Sequence, residues 1–134
     1  METYSRSLVA LEGKSVLIVE DEPLIALDTK QIIENAGAAR VYVARTMPEA
    51  CIVLQETQDI DIALLDISLG PEPSFPLAES LLADGISFVF STGYTNDARI
   101  PDHLATVPLL KKPYAAADLI AALAAKTSIC SGKE

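Results

Sequence analysis

The chain has 134 residues, half of them hydrophobic, and a formal net charge of −9. This length points to one domain, and the core must be aliphatic because the sequence contains no Trp. The negative charge would repel phosphate backbones and anionic lipids, so we expect the protein to bind neither nucleic acid nor a membrane surface. No apolar run is long enough to cross a bilayer.

Aliphatic runs alternate with helical patterns along the chain. The runs that predict strands occupy residues 15–19, 39–44, 60–65, 86–90 and 107–110. The helical patterns occupy residues 23–36, 46–55, 77–83 and 115–125. Glu49 follows Thr46 by three residues, which predicts a capping box at the second helix. Residues 68–76 hold one Gly and three Pro, so this segment is predicted to be a loop.

This alternation predicts an α/β fold with a parallel sheet and helices on both faces. Five strands with right-handed crossovers indicate a doubly wound, flavodoxin-like sheet of order 2-1-3-4-5. Residues 95–107 are polar and weakly periodic, so we expect the fourth helix to be weak or disordered. We assign residues 1–13 to an N-terminal extension, 14–126 to the domain and 127–134 to a frayed tail.

Polar residues follow four of the predicted strands at their carboxyl ends, where doubly wound sheets bind ligands. These residues are Glu20, Asp21, Asp66, Thr92 and Lys112. We expect the fold to bring them to one edge of the sheet, although they are far apart in sequence. Their convergence is the main functional signal of the chain.

Three carboxylates at one edge repel each other, and a divalent cation would remove that repulsion. Oxygen ligands without His or Cys favour Mg²⁺. Mg²⁺ beside a strand-end carboxylate is typical of phosphoryl transfer, in which the carboxylate can be the nucleophile and form an aspartyl phosphate. An ammonium such as Lys112 would then neutralise phosphoryl oxygens, and Thr92 would donate a hydrogen bond to one of them.

Each residue also has a simpler structural explanation. Considered alone, Asp21 could be an N-cap and Asp66 a turn residue. Thr92 could be an ordinary strand exit, and Lys112 a solvated lysine. The joint occurrence of these residues at the predicted strand ends favours phosphoryl transfer over four separate explanations.

The two cysteines, Cys51 and Cys130, have neither the spacing of a close pair nor that of a metal site. We interpret both as free thiols in a reducing cytoplasm. Cys51 is predicted to be buried on a helix.

Four segments resemble the signatures of response-regulator receiver domains, in the order and spacing of that family. They are Val19-Glu20-Asp21-Glu22-Pro23, Leu64-Leu65-Asp66-Ile67-Ser68-Leu69, Thr92-Gly93-Tyr94 and Lys112-Pro113. Any one of them is a weak signal, but four in register are specific. The resemblance covers residues 14–125, nearly the whole chain.

The resemblance implies a phosphoacceptor and its metal ligands. Asp66 is the implied phosphoacceptor and is also a metal ligand. Glu20 and Asp21 are the implied acid pair around Mg²⁺, with Asp21 as the direct ligand. The backbone carbonyl of Ser68 would complete the protein ligands.

Two further residues are implied to contact the phosphoryl group. Thr92 would be the switch hydroxyl, and Lys112 would form an ion pair with Asp66 or its phosphate. The Lys112–Pro113 bond is expected to be cis. The family usually places an aromatic switch residue three positions before this lysine, but Leu109 stands there, so the usual coupling of that residue to Thr92 does not carry over.

Residues 90–94 and 113–119 resemble the FAT GUY group of single-domain receivers of alphaproteobacteria. Ser91 replaces an Ala of that group, and Tyr114 replaces a Phe. This resemblance also implies a poorly ordered or missing fourth helix. The signal could then be a change of order in residues 95–107.

The resemblance implies a phosphoacceptor domain rather than an enzyme, one that catalyses at most its own phosphorylation and dephosphorylation. We expect a free-standing receiver without an output domain. Its phosphodonor would be a histidine kinase or a histidine phosphotransfer protein, and it would act on an unknown downstream protein. We expect a monomer, with dimerisation through the fourth-strand face as the alternative.

Other interpretations share parts of this evidence. The chain could be a receiver module of a hybrid histidine kinase, or a receiver-like interaction module that is never phosphorylated. A Mg²⁺ phosphatase of the haloacid dehalogenase type also uses a strand-end Asp, but it needs a second acid where Ser68 stands. A flavodoxin-like cofactor site is disfavoured because the acidic turn Asp21-Glu22-Pro23 would repel a nucleotide phosphate.

Overall fold

The structure, a computed structural model, describes residues 10–93 and 100–132, with side chains to residue 127. The strands are β1 (Ser15–Val19), β2 (Arg40–Ala44), β3 (Ile62–Asp66), β4 (Ser68–Leu69), β5 (Glu72–Pro73), β6 (Ser87–Thr92) and β7 (Leu109–Lys111). The helices are α1 (Pro23–Asn35), α2 (Met47–Thr57), α3 (Phe75–Ala83) and α4 (Ala116–Gly132).

The central sheet forms because its aliphatic runs can be buried from both sides. Every residue of β1 and of β3 is buried. The five longer strands pair in parallel in the order β2-β1-β3-β6-β7. This confirms the predicted order 2-1-3-4-5 and puts β3 at the centre of the sheet.

The two faces of the sheet bury different side chains, because successive strand residues point to opposite sides. From β1, Leu17 and Val19 join the core under α2 and α3, whereas Val16 and Ile18 join the core under α1 and α4. Leu11 is fully buried in the second core, three residues before the predicted domain start. The domain limits remain predictions.

The predicted capping box at α2 is present in modified form. The Thr46 hydroxyl oxygen accepts the Glu49 N–H at 3.2 Å, as expected. The Glu49 carboxylate, however, accepts the N–H of Arg45 at 2.8 Å, one residue before the cap. The first bond satisfies an N–H that the helix itself leaves without an acceptor, and the second satisfies the N–H of Arg45 just outside the helix.

Several element ends are shifted by one or two residues from prediction, and two segments differ more. The predicted loop 68–76 contains the antiparallel hairpin β4–β5, which turns at Gly70 with a φ of 81°. Helix α4 continues to Gly132 instead of ending at 125, so the predicted tail has helical backbone up to that residue. Residues 126–132 contain no Ala, but Thr127 is buried and its hydroxyl donates to the carbonyl of Ala124 at 2.9 Å within the helix.

The predicted weak fourth helix falls partly on residues 94–99, which lie outside the described residues. Within residues 100–107 the chain forms a 3-10 turn at Asp102–Leu104 and no α-helix. Leu104 from this turn is buried in the core under α2 and α3. Within the described ranges, no helix has the length and apolar character needed to cross a membrane.

The prediction that Cys51 is buried is wrong. Cys51 is exposed on α2, where Ala50 is the buried residue. Each residue of a helix is rotated by about 100° from the previous one, so a face that buries Ala50 turns Cys51 toward solvent. The thiol is free, as predicted, whereas the Cys130 side chain lies outside the described side chains.

Candidate functional site

The carboxyl ends of β1, β3, β6 and β7 meet at one edge of the sheet because these strands are parallel. Glu20 follows β1, Asp66 ends β3, Thr92 ends β6 and Lys112 follows β7. The Lys112 N–H donates to the carbonyl of Thr92 at 2.8 Å, and this bond holds the end of β7 beside the end of β6. The edge therefore collects residues that are far apart in sequence.

Three carboxylates form the centre of the site. One carboxylate oxygen from each of Glu20, Asp21 and Asp66 lies within 4.8 Å of the other two. Glu20 and Asp66 are each 3% exposed, whereas Asp21 is more exposed. Solvent therefore reaches the cluster from the side of Asp21, while Glu20 and Asp66 are buried.

The Lys112 ammonium bridges the two buried acids. Its Nζ lies 2.7 Å from Oε1 of Glu20 and 3.0 Å from Oδ2 of Asp66. Burial alone would lower the pKa of Lys112, but its hydrogen bonds to Glu20 and Asp66 and their negative charges outweigh this, and the pKa is raised. Lys112 is therefore held in its charged form.

The pKa of Glu20 is raised as well, which for an acid favours the neutral form. Burial raises the pKa of Glu20, the hydrogen bond from Lys112 opposes the rise, and the charge of Asp66 adds to it. Lys112 therefore favours the charged form of Glu20 against the effect of burial.

Backbone N–H groups hold the remaining oxygens of the two buried acids. The Glu22 N–H donates to Oε2 of Glu20 at 3.1 Å, and the Ser68 N–H donates to Oδ1 of Asp66 at 3.1 Å. The N-cap residue of α1 is Glu22, whose side chain makes no capping bond. Asp21 is therefore not the helix cap that was its simpler explanation.

Thr92 and the loop after Lys112 complete the predicted set. Thr92 is fully buried, and Asp66 pairs with Ser91, the residue before it, across β3 and β6. The Lys112–Pro113 bond is cis, as expected. All six predicted site residues thus lie at one edge, while their roles in phosphoryl transfer and metal binding remain predictions.

Ser74 is a residue of the site that the sequence analysis missed. It is fully buried, and its hydroxyl donates to the backbone carbonyl of Asp66 at 2.7 Å. Its N–H donates to the carbonyl of Ile67 at 2.8 Å, so the start of α3 is tied to the end of β3. A Ser in a Gly- and Pro-rich loop normally indicates a turn or a helix cap, and this concealed its role.

We expect Ser74→Ala to lower the free energy of unfolding by about 1–3 kcal/mol, because the buried carbonyl of Asp66 loses its hydroxyl donor. Urea denaturation followed by circular dichroism measures the change. The control is Ser80→Ala on the exposed side of α3, which should stay within about 0.5 kcal/mol of wild type. Equal stabilities of the two variants would contradict the assigned role of Ser74.

Comparisons with known proteins identify relatives of the chain, although no family model matches it. The phyllosphere-induced regulator PhyR of Methylorubrum extorquens is 30% identical over 125 residues, which cover 92% of this chain and 47% of that protein. The chain therefore spans less than half the length of this curated relative.

Two solved structures are similar over nearly their whole length. The response regulator receiver domain protein (CheY-like) of Methanospirillum hungatei is 28% identical, with a TM-score of 0.78, and the match covers 92% of this chain and 100% of that one. SdrG of Sphingomonas melonis is 37% identical, with a TM-score of 0.72, and the match covers 89% of this chain and 98% of that one.

Proposed function

The chain belongs to the family of response-regulator receiver domains, and from this premise we propose that it is a phosphoacceptor in a two-component phosphorelay. Asp66 would take the phosphoryl group. The observation that carries the proposal is the convergence of Asp66 with two further carboxylates and the Lys112 ammonium at one edge of the sheet. The domain would catalyse at most its own phosphorylation and dephosphorylation.

In the proposed reaction, a carboxylate oxygen of Asp66 attacks the phosphorus atom of the donor. A P–O bond forms, the bond between phosphorus and the donor histidine nitrogen breaks, and the ring leaves with the electron pair of that bond and takes up a proton from water to become neutral imidazole. The product is an acyl phosphate on Asp66. Lys112 is placed to neutralise charge on the transferred oxygens because its Nζ already lies 3.0 Å from the Asp66 carboxylate.

The donor set of the site fits Mg²⁺. Its three carboxylates face one ammonium, so lysine alone does not balance their charge. We propose that Glu20, Asp21, Asp66 and the backbone carbonyl of Ser68 hold the ion. Bound Mg²⁺ would supply further charge neutralisation to the phosphoryl oxygens.

The test is phosphorylation of the purified protein by acetyl phosphate, followed by intact mass measurement. With Mg²⁺ we expect a gain of one phosphoryl group, and with a chelator we expect none. If the wild type gains no mass, Mg²⁺ is titrated while the resonances of Asp66 and its neighbours are followed by NMR. Failure of both phosphorylation and metal binding would contradict the proposal and favour an interaction module that is never phosphorylated.

The phosphodonor needs a surface next to Asp66 on which to dock. Leu24 and Leu27 on α1 are 80% and 63% exposed, and α1 begins two residues after Asp21. A groove of about 410 Å³ separates this part of α1 from the loop after β7. We propose that a histidine kinase or a histidine phosphotransfer protein buries this apolar surface when it brings its phosphohistidine to Asp66.

We expect Leu24→Ala to lower kcat/KM for transfer from a phosphorylated histidine protein by about tenfold, the typical effect of truncating an apolar anchor of an interface. Phosphorylation by acetyl phosphate should be unchanged, because that donor needs no docking surface. The control is Ile52→Ala, an exposed aliphatic residue of α2 on the other side of the sheet. Equal transfer rates for both variants would place docking elsewhere.

Further proposals concern the location, the subgroup and the partners of the domain. A cytoplasmic location is supported by the exposed free thiol of Cys51, because thiols persist in reducing compartments. Membership of the FAT GUY group rests on residues 90–94 and 113–119, of which Tyr94 lies outside the described residues. The downstream partner would be a protein, and the domain would act as a monomer.

A further inference from the structure

Helix α1 and the loop that carries Lys112 are joined by a pair of hydroxyl groups. Oγ1 of Thr29 lies 2.9 Å from the hydroxyl oxygen of Tyr114, and 85 residues separate the two in sequence. Thr29 is 1% exposed, and the Tyr114 ring packs against the core under α1 and α4. The contact is thus a partly buried tertiary link rather than a local turn.

The loop between β7 and α4 is short and has two fixed points. Its first residue, Lys112, is tied to β6 through the backbone bond to Thr92. Two residues later, the side chain of Tyr114 is tied to α1. The Lys112 ammonium must reach Glu20 and Asp66 from this loop, so the position of the loop limits where the ammonium can lie.

The link is between neutral groups. Burial raises the pKa of Tyr114, the hydrogen bond with Thr29 opposes the rise, and the negative charge of Glu20 adds to it. Tyr114 therefore keeps its proton.

Leu109, at the position where the family usually has an aromatic residue, is 38% exposed on β7.

We propose that the Thr29–Tyr114 pair is a positioning element for Lys112. It anchors the loop to α1 so that the ammonium lies on Glu20 and Asp66, from which it can neutralise a phosphoryl group. This inference rests on the proposed phosphoacceptor function of Asp66. Neither Thr29 nor Tyr114 would touch the phosphoryl group itself.

Loss of this link should affect phosphoryl transfer and metal binding differently. Lys112 and a divalent cation use oxygens of the same two carboxylates, those of Glu20 and Asp66. A displaced ammonium would therefore slow phosphoryl transfer without weakening Mg²⁺ binding. A general loss of structure would instead weaken both.

The variants are Tyr114→Phe and Thr29→Val, which remove one hydroxyl each, and Thr29→Ser, which keeps it. At saturating Mg²⁺ we expect the first two to accept phosphate from acetyl phosphate about fivefold more slowly, the equivalent of one neutral hydrogen bond. Their Mg²⁺ dissociation constants should be no higher than that of wild type, and Thr29→Ser should react like wild type. Unchanged rates, or a parallel loss of Mg²⁺ affinity, would overturn the inference.

A double-mutant cycle tests whether the effect passes through Lys112. In a Lys112→Ala background, Tyr114→Phe should cause no further decrease in rate, whereas independent, additive effects would contradict the inference. If the wild type accepts no phosphate, Mg²⁺ binding decides the proposed function, and NMR decides the inference separately. Tyr114→Phe should then shift the ε-methylene resonance of Lys112 but not that of Lys111, and an unshifted Lys112 resonance would overturn it.

Discussion

Asp66→Asn should reduce the gain of phosphoryl mass from acetyl phosphate to background. An amide oxygen carries no full negative charge and is a poor nucleophile for phosphorus, so the acyl phosphate cannot form at this position. The measurement is intact mass after incubation with Mg²⁺ and acetyl phosphate. The matched control is Asp59→Asn, an exposed acid outside the site, which should react like wild type.

The pair of variants also tests the assignment of the acceptor within the cluster. Asp21 is the more accessible acid, and its carboxylate lies within 4.8 Å of the Asp66 carboxylate. If Asp66→Asn still gained one phosphoryl group, another carboxylate would be the acceptor, and Asp21 would be examined first. Asp66 is a better candidate than Asp21 because its carboxylate contacts Lys112 directly.

Lys112→Ala should slow phosphorylation by about 10²–10³-fold, the usual effect of removing one group that stabilises developing negative charge. Mg²⁺ affinity should stay the same or rise, because the ammonium no longer competes for Glu20 and Asp66. Initial rates with acetyl phosphate and an NMR titration of Mg²⁺ measure the two effects. Lys111→Ala is the control, since Lys111 is the exposed neighbour on β7.

The same variant should also change stability. Without a divalent cation, Glu20 and Asp66 would be left as two buried acids without their ammonium partner. Removing one member of a buried ion pair costs about 3 kcal/mol, so we expect a decrease of this size in the free energy of unfolding. Saturating Mg²⁺ should restore part of it, because an ion that binds only the folded state stabilises that state. If Lys112→Ala and Lys111→Ala had the same free energy of unfolding in the presence of a chelator, the bridging role of Lys112 would be contradicted.

Several features of the fold could be predicted from the sequence because they depend on local patterns. The first strand was predicted at residues 15–19, where β1 lies, since a continuous aliphatic run is stable only when both faces are buried. The strand order follows from alternating strands and helices with right-handed crossovers. Convergence of the six site residues then follows, because parallel strands end at the same edge of the sheet.

Other features were determined by the tertiary structure alone. The resemblance implies an ion pair between Lys112 and Asp66, but no sequence pattern indicates that Lys112 also contacts Glu20, that Ser74 holds the carbonyl of Asp66, or that α4 extends to Gly132. The prediction that Cys51 is buried is wrong because the helical pattern did not decide whether Ala50 or Cys51 faces the core.

The physical reason is the distance along the chain over which these contacts form. Thr29 and Tyr114, for example, are 85 residues apart. Periodicity and capping report on interactions over a few residues. Contacts between helices, sheet and loops depend on how the helices pack on the sheet. This packing decides which loop residues come within hydrogen-bonding distance. The sequence therefore determined the fold and the chemical groups at its edge, and the packing of α1, α3 and the β7–α4 loop decided how those groups are held.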